Sequence, residues 1–231
     1  MEYHKYYLDH LYPLQDKFFE FFNPLNSGQF YLTGGTALSR FYFEHRYSED
    51  LDFFTTRELK EFRKIATSIL EGAKKQGFSI EVETISDSFL RVFAKDQETS
   101  LKIDFVNEMA YHWGECKSFP TFSVVDNETN ILANKMTCIS RHEVKDIADI
   151  WVIAKRLSFS WRDIIDIASK KSPVDPVEIS KIIKTLPYDE LKLVKWARDI
   201  NLEEVRSELQ TIVEDILLGR VNSLNSGGKV R

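Results

Sequence analysis

The sequence predicts an α/β (α+β) fold in which a small mixed β-sheet with flanking helices is followed by an all-helical C-terminal part. Short runs of β-branched and aromatic residues alternate with helical patterns up to about residue 126, and this alternation is typical of a sheet covered by helices. Beyond residue 127 the strand-like runs disappear and helical patterns continue to about Val221, broken at Ser172-Pro173 and Pro187. The sequence therefore predicts two domains, 1–126 and 127–231.

The elements of the first domain follow from hydrophobic periodicity. Apolar residues at helical spacing predict an opening helix over 5–22 that ends before Asn23-Pro24. Short β-rich runs predict strands at 30–33, 51–55, 79–84, 89–94 and 101–106. Further helices are predicted at 36–46 and 58–76, the second closing at Gly77, and a hairpin turn is predicted at Ser86-Asp87-Ser88.

The composition indicates a globular protein of 231 residues with a formal net charge of −5. That charge argues against a surface built as a whole for nucleic acid, so an RNA partner would be held briefly at a local basic region. Cys116 and Cys138 lack the spacing of a zinc site or disulfide framework. With no signal-peptide pattern and no apolar segment able to span a bilayer, we expect a cytoplasmic protein with no membrane partner and a flexible tail at 222–231.

The most informative motif is Gly34-Gly35-Thr36, which ends an apolar run and is followed fourteen residues later by Asp50-Leu51-Asp52-Phe53. Residues i and i+2 of a strand share a face, so Asp50 and Asp52 would project together as ligands for Mg²⁺. Glycines let the backbone approach a triphosphate, and a helix beginning near Thr36 would direct N–H groups at it. A lone Gly-Gly is usually a turn and a lone acidic pair usually a solvated face, so the order and spacing carry the inference.

A third acidic residue, Asp104, lies on the polar face of the predicted strand 101–106. If this strand neighbours the one that bears Asp50 and Asp52, three carboxylates would converge on the metal, and Asp104 would help to deprotonate an attacking hydroxyl. The alternative is an exposed aspartate on the surface of a strand.

Charged residues recur downstream. On a helix, Asp146 and Asp149 are i,i+3 neighbours and Lys145 and Asp149 are i,i+4 neighbours, so they can share one face. The plain alternative is a salt-bridged amphipathic helix. Lys135 and Arg141 are expected to bring positive charge to a triphosphate from the helical part, which would close the nucleotide cleft.

Together these segments resemble the AbiEii/AbiGii toxin family of nucleotidyltransferases. The resemblance is carried by Gly34 to Leu38, Arg46 to Phe54, Lys135 with Arg141, and Lys145 to Asp149. This family is the toxin half of type IV toxin-antitoxin and abortive-infection systems and is similar in fold to DNA polymerase β. The resemblance implies an NTP substrate, two Mg²⁺ ions with Mn²⁺ able to substitute, a cognate antitoxin, and an RNA acceptor such as a tRNA 3′ end.

The resemblance also implies roles for single residues. The metal would be bound by Asp50, Asp52 and Asp104. The catalytic groups would be these three with Lys135 and Asp146. The nucleotide would be contacted by Gly34, Gly35, Thr36, Ser48, Lys135, Arg141 and Lys145.

The predicted reaction moves an NMP from an NTP to a hydroxyl, with RNA as the first acceptor. A protein hydroxyl, a small molecule such as an aminoglycoside, or an NTP-binding protein that acts through a partner remain alternatives. A loose basic cluster suits either a solvated face or a tRNA backbone, and consists of Lys155, Arg156, Arg162, Lys170 and Lys171. The tryptophans at 151, 161 and 196 are predicted to be helical core residues, and no P-loop motif occurs.

Overall fold

The structure is a computed structural model and describes residues 2–57, 59–96, 99–108 and 111–225. The chain divides into two compact units. The first is Met1–Met109 with Glu115–Asp126, and the second is Ala110–Gly114 with Asn127–Arg231.

A five-stranded mixed sheet lies in the first unit. Its strands are β1 (Tyr31–Thr33), β2 (Leu51–Thr55), β3 (Ser79–Ile85), β4 (Phe89–Asp96) and β5 (Thr99–Asn107). Their order is β1-β2-β5-β4-β3, with β2 parallel to β5 and the other neighbours antiparallel. The five strand predictions are confirmed, and the predicted turn joins β3 to β4 through the bond from Ser86 N to Phe89 O, 2.7 Å.

The segment before residue 127 returns to the edge of this sheet beside β1. Leu32 N donates to Val124 O at 2.9 Å, and Asp126 N donates to Leu32 O at 2.8 Å. This parallel contact was not predicted, because a short run with Ser123 and Asp126 has no clear strand pattern.

The helices of the first unit are α1 (Glu2–Tyr6), α2 (Tyr12–Asn26), α3 (Gly34–Ala37) and α4 (Leu59–Lys75). Two π-helical segments adjoin them, Tyr7–Leu11 before α2 and Leu38–Phe43 after α3. The helix predicted at 58–76 is confirmed over Leu59–Lys75, while residue 58 lies outside the described residues. The helix predicted at 36–46 begins two residues earlier and ends at Phe43, since Glu44 adopts a left-handed conformation, φ 49°.

The prediction that the opening helix ends before Asn23-Pro24 is wrong, because α2 continues to Asn26. Pro24 lies in the last turn, where its ring removes one backbone hydrogen bond without ending the helix. Asn26 then fixes the exit: its Nδ2 donates to Phe30 O and its Oδ1 accepts from Phe30 N, both at 2.7 Å.

The core of the first unit is rich in phenylalanine. Phe22 of α2 packs edge-on against Phe53 of β2, with ring centroids 4.8 Å apart. Phe53 stacks on Phe105 of β5 at 5.3 Å, and all three side chains are buried. Since side chains alternate along a strand, burying Phe53 and Phe105 on one face places Asp52 and Asp104 on the other.

The second unit is helical, with α5 (Glu128–Cys138), α6 (Val144–Arg156), α7 (Trp161–Ser169), α8 (Pro176–Thr185) and α9 (Leu202–Leu218). Four of these begin at side-chain caps, which are Asn127, Ser160, Asp175 and Asn201. The three predicted core tryptophans are buried, but Trp196 lies outside any helix. Across the described ranges, no helix has both the length and the apolar character needed to cross a membrane.

The residues just beyond α9 still pack against the second unit. Asn222 is fully buried, and its Nδ2 donates to Ala154 O at 2.6 Å and to Leu157 O at 2.8 Å. The prediction of a flexible tail from residue 222 is therefore wrong for residues 222–225, because this amide satisfies carbonyls at the end of α6. Residues 226–231 of that prediction lie outside the described residues.

Candidate active site

A row of polar residues crosses four strands of the sheet. In the strand register Thr33 pairs with Asp52, Asp52 with Asp104, and Asp104 with Arg91. Residues paired in register point to the same face. The strands that bear Asp52 and Asp104 are thus neighbours, which is the condition set in the sequence analysis, and the two strands are parallel.

Asp104 is held by two hydrogen bonds from Arg91. Arg91 Nε lies 2.7 Å from Oδ1 and Arg91 Nη2 lies 2.7 Å from Oδ2, and Asp104 is only 7% exposed. The bonds to Asp104 raise the pKa of Arg91 above its ordinary range, while burial opposes this shift. Arg91 was missed from the sequence. The signal that could have found it is its position on the strand next to Asp104.

Asp50 lies just before β2 and forms an ion pair with Lys102 of β5, with Lys102 Nζ 2.5 Å from Asp50 Oδ2. Burial lowers the pKa of Lys102, but the bond to Asp50 and the charges of Asp104 and Asp52 outweigh it, so the net shift is upward. Lys102 is two residues from Asp104 on the same strand, which places Asp50 near the same sheet face. Two cations therefore accompany the three predicted carboxylates.

The donor set suits a hard divalent cation, because Asp50 and Asp52 supply carboxylate oxygens on one strand face. In the part of the chain that is described, no three His, Cys, Asp or Glu residues are already arranged to hold a metal ion. Asp50 and Asp104 each form an ion pair with a cation of the protein, Lys102 and Arg91 respectively.

The two glycines of the motif lie directly against site residues. Gly34 has φ +73°, and a Cβ built on it would be 2.7 Å from Asp52 Oδ2. A Cβ on Gly35 would overlap the guanidinium of Arg46 and lie 3.1 Å from Ser48 Oγ. A larger residue at either position would displace the Asp52 or Arg46 side chain, so the structure brings the Gly-Gly turn, Ser48 and Asp52 close together.

Two threonine hydroxyls form hydrogen bonds between the Gly-Gly turn region and neighbouring segments. The Thr36 hydroxyl donates to the backbone carbonyl of Asp50. Thr33 Oγ1 donates to Asp126 Oδ2 at 2.7 Å, and Asp126 is fully buried. Asp126 was also missed, because the contact joins positions 93 residues apart.

Gln15 of α2 braces the loop that precedes the acidic pair. This side chain is fully buried, and its Nε2 donates to Ser48 O and Glu49 O, both at 3.2 Å. Its Oε1 accepts from Arg40 Nη1 at 2.8 Å. Gln15 was not predicted, since a single glutamine in a helix has no distinguishing pattern.

The downstream motif forms a buried ion cluster in the second unit. Lys135 Nζ of α5 lies 2.5 Å from Asp146 Oδ1 and 2.7 Å from Asp149 Oδ2 of α6. The predicted shared face of Asp146 and Asp149 is confirmed, but Asp149 contacts Lys135, and Lys145 is exposed. The single charge of Lys135 is thus paired with two carboxylates. Arg141 is exposed in a short 3-10 turn.

A mixed sheet with an Asp-x-Asp pair at the start of one strand, a third aspartate on the adjacent parallel strand and a Gly-Gly turn beside the second aspartate of the pair is the arrangement of a nucleotidyltransferase. The chain belongs to the nucleotidyltransferase AbiEii toxin family of type IV toxin-antitoxin systems, whose sequence profile matches residues 18–198. No curated protein sequence matches the chain significantly.

Solved structures share the fold. A candidate nucleotidyltransferase from H. pylori is 22% identical with a TM-score of 0.62, covering 88% of this chain and 93% of its own. JHP933 from Helicobacter pylori is 23% identical with a TM-score of 0.61, covering 87% and 89%. MenT4, a nucleotidyltransferase toxin from Mycobacterium tuberculosis H37Rv, is 13% identical with a TM-score of 0.60, covering 90% and 82%. At these identities the comparisons establish the fold.

Family membership makes this protein a nucleotidyltransferase that uses an NTP and divalent metal ions. Membership in a type IV toxin-antitoxin family also implies a cognate antitoxin.

Proposed function

We propose that this protein acts in the cytoplasm as a type IV toxin that transfers an NMP from an NTP to a hydroxyl of RNA and releases pyrophosphate, with a tRNA 3′ end as the first acceptor. The observation that carries the proposal is the contact of Gly34 with Asp52, in a sheet whose register places Asp104 beside Asp52. That contact gives a triphosphate bare backbone next to a carboxylate.

Asp50 and Asp52 would hold Mg²⁺, two ions in all, with Asp104 as the third carboxylate and Mn²⁺ able to substitute. When bound, the metal supplies positive charge that neutralises the triphosphate and the leaving oxygen. Arg91 fixes the orientation of Asp104 through its two parallel bonds. Each carboxylate oxygen keeps a lone pair beyond the one Arg91 uses, so Asp104 can still accept the proton of the attacking hydroxyl.

The remaining residues position the nucleotide. Gly34 and Gly35 offer backbone without Cβ atoms, and Ser48 offers a hydroxyl next to the same turn. Thr36 holds this turn in place, because its hydroxyl donates to the Asp50 carbonyl. In the second unit, the exposed Arg141 and Lys145 would bind phosphate oxygens. Lys135 and Asp146 are proposed as essential because their ion pair joins α5 to α6.

The test follows α-phosphate label from each of the four NTPs, with Mg²⁺, onto total RNA and onto protein. Asp52→Asn should abolish transfer, a loss of about 100-fold or more, because it removes one charge from the metal site. The matched control is Asp87→Asn, since Asp87 is an exposed aspartate in the β3–β4 turn. Thermal unfolding of both variants checks that the fold is intact.

Each result decides between acceptors. Label on RNA that disappears with Asp52→Asn supports the proposal and identifies the NTP. Label on protein alone assigns a protein acceptor. Absence of label from folded wild type over a range of metals points to a small molecule such as an aminoglycoside, or to NTP binding without transfer. Full activity of Asp52→Asn would reject the metal assignment.

A further inference from the structure

Two aromatic rings and two lysines meet on the surface of the second unit. We call this group of Tyr111, Trp113, Lys170 and Lys171 the aromatic-lysine patch. Both rings are 39% exposed, and Lys170 Nζ lies 5.2 Å from the Tyr111 ring centroid and 5.6 Å from that of Trp113. Lys171 Nζ donates to Tyr111 O at 2.5 Å. The patch thus combines flat apolar surface with positive charge.

The backbone under the rings is fixed by two asparagines. Trp113 N donates to Asn130 Oδ1 at 2.9 Å, and Asn127 Nδ2 donates to Trp113 O at 2.7 Å. Asn130 is fully buried, and Asn127 also caps α5. Gly114 has φ +73°, and a Cβ there would lie 3.0 Å from Asn127 Nδ2. A segment held this closely presents Trp113 at a defined place, which lowers the entropy cost of binding.

The other tryptophans are buried, and another lysine of the basic cluster is paired with carboxylates. Trp151, Trp161 and Trp196 are 8%, 0% and 7% exposed. Lys155, the first residue of the basic cluster predicted from the sequence, pairs with Glu204 at 2.7 Å and with Glu208 at 3.0 Å. Within that cluster, Lys170 and Lys171 are the lysines that accompany exposed rings.

We propose that the aromatic-lysine patch binds single-stranded RNA, with unpaired bases stacked on Trp113 and Tyr111 and with Lys170 and Lys171 at the phosphates. Any base can stack on an exposed part of an aromatic ring, and Lys170, whose Nζ lies over both rings, supplies a cation that attracts the backbone. Stacking and positive charge together bind single strands without sequence preference. Because the protein carries a net charge of −5, this attraction must be local. The inference rests on the proposed function and deepens it by naming the surface that binds the acceptor.

Tryptophan fluorescence provides a direct readout. Trp113 is the one tryptophan of four that is well exposed, so a base stacked on it should quench emission when a short single-stranded RNA is added without NTP. Trp113→Phe should remove the quench while keeping most of the affinity, because the ring remains. Affinity is measured independently by the anisotropy of the same RNA carrying a 5′ dye.

Substitutions then separate stacking from charge. Trp113→Ala or Tyr111→Ala should weaken binding about 5- to 150-fold, the range for losing one stacked base. Lys170→Gln should lower the slope of log affinity against log salt by about 0.7, as expected for one phosphate contact to a single strand. The matched controls are Tyr188→Ala, whose ring lies 5.2 Å from Arg206 Cζ, and Lys181→Gln, whose side chain is 67% exposed. Both should bind RNA like wild type.

The proposal is overturned if wild type shows no measurable RNA binding, if Trp113→Ala binds as tightly as wild type, or if Tyr188→Ala loses as much. It is also overturned if Trp113→Ala loses a protein partner but not RNA. Should Trp113→Ala fail to fold, the quench and its loss in Trp113→Phe still decide. These binding measurements omit NTP, so they do not depend on the reaction. If RNA binds through the patch but receives no label in the transfer assay, the proposed reaction is rejected and the RNA-binding proposal stands.

Discussion

At the scale of single residues, Gly34 decides whether the candidate site can exist. Its φ of +73° lies in the left-handed region, and its missing Cβ leaves room for the Asp52 carboxylate. A left-handed backbone and a close contact at the Cβ position are separate reasons why a position needs glycine. Another glycine of the chain has only the first. Gly28 also has φ +73°, but a Cβ built there has no atom within 4 Å.

We therefore expect Gly34→Ala and Gly28→Ala to share one cost and differ in another. Each should lose about 1–2 kcal/mol of unfolding free energy from the left-handed backbone. Only Gly34→Ala should also displace Asp52 and reduce NMP transfer by about 100-fold, the effect of a misplacement near 1 Å. Urea unfolding and label transfer measure the two effects. Equal transfer by both variants would show that the Gly34–Asp52 contact is not needed for activity.

The sequence predicted candidate site residues that belong to recognisable motifs. The spacing of Asp50, Asp52 and the Gly-Gly turn is local, so it indicates a metal and nucleotide site from the sequence alone. Gln15, Arg91 and Asp126 act through partners 33, 13 and 93 residues away. Such pairs depend on the strand register and helix packing, which local periodicity does not specify.

At the scale of elements, α5 is joined to α6 by the buried ion pairs of Lys135 with Asp146 and Asp149. Lys135 is 8% exposed and neutralises parts of two carboxylates, Asp146 at 6% and Asp149 at 0%. The sequence predicted helical character after residue 127 and the face shared by the aspartates. It assigned Lys135 to a triphosphate rather than to these aspartates, and it did not predict the π-helical turns of the first unit.

Lys135→Met should lower the unfolding free energy by about 3–5 kcal/mol, because it leaves two buried carboxylates without a cation. The matched control is Lys155→Met, which removes a partly exposed lysine from two ion pairs with α9 and should cost less than about 1 kcal/mol. Urea denaturation gives both values. Similar small losses would mean that the essential role of Lys135 lies in phosphate binding rather than in holding α5 to α6.

At the scale of the whole molecule, the first unit is completed by a second stretch of chain, Glu115–Asp126. Cys116 lies at its start, and burial, with a smaller contribution from the Asp126 charge, raises the pKa of its thiol from 9.0 to about 12. The folded state therefore holds this proton more tightly than the unfolded chain. Stability from this group is complete below pH 9 and is lost as the pH rises toward about 12.

Alkylation of Cys116 should report whether this stretch stays in place. A Cys138→Ser variant leaves Cys116 as the reacting thiol. With a pKa of about 12, about one thousandth of this thiol is ionised at pH 9, against about half in the unfolded chain. We expect iodoacetamide to react about 500-fold more slowly in the folded protein than in urea, with the rate rising about tenfold per pH unit above pH 9. A rate close to that in urea would show that the stretch opens readily.

The same connectivity has a consequence for recombination between related genes. The chain passes from one unit to the other three times, at residues 109/110, 114/115 and 126/127. A single crossover at 126/127, where helical character begins, would separate Trp113 from Asn127 and Asn130, which hold its backbone. A hybrid gene would keep those bonds only if both parents encode matching amides. A hybrid protein should therefore keep these contacts best when the helical unit and the short upstream segment that belongs to it come from the same parent gene.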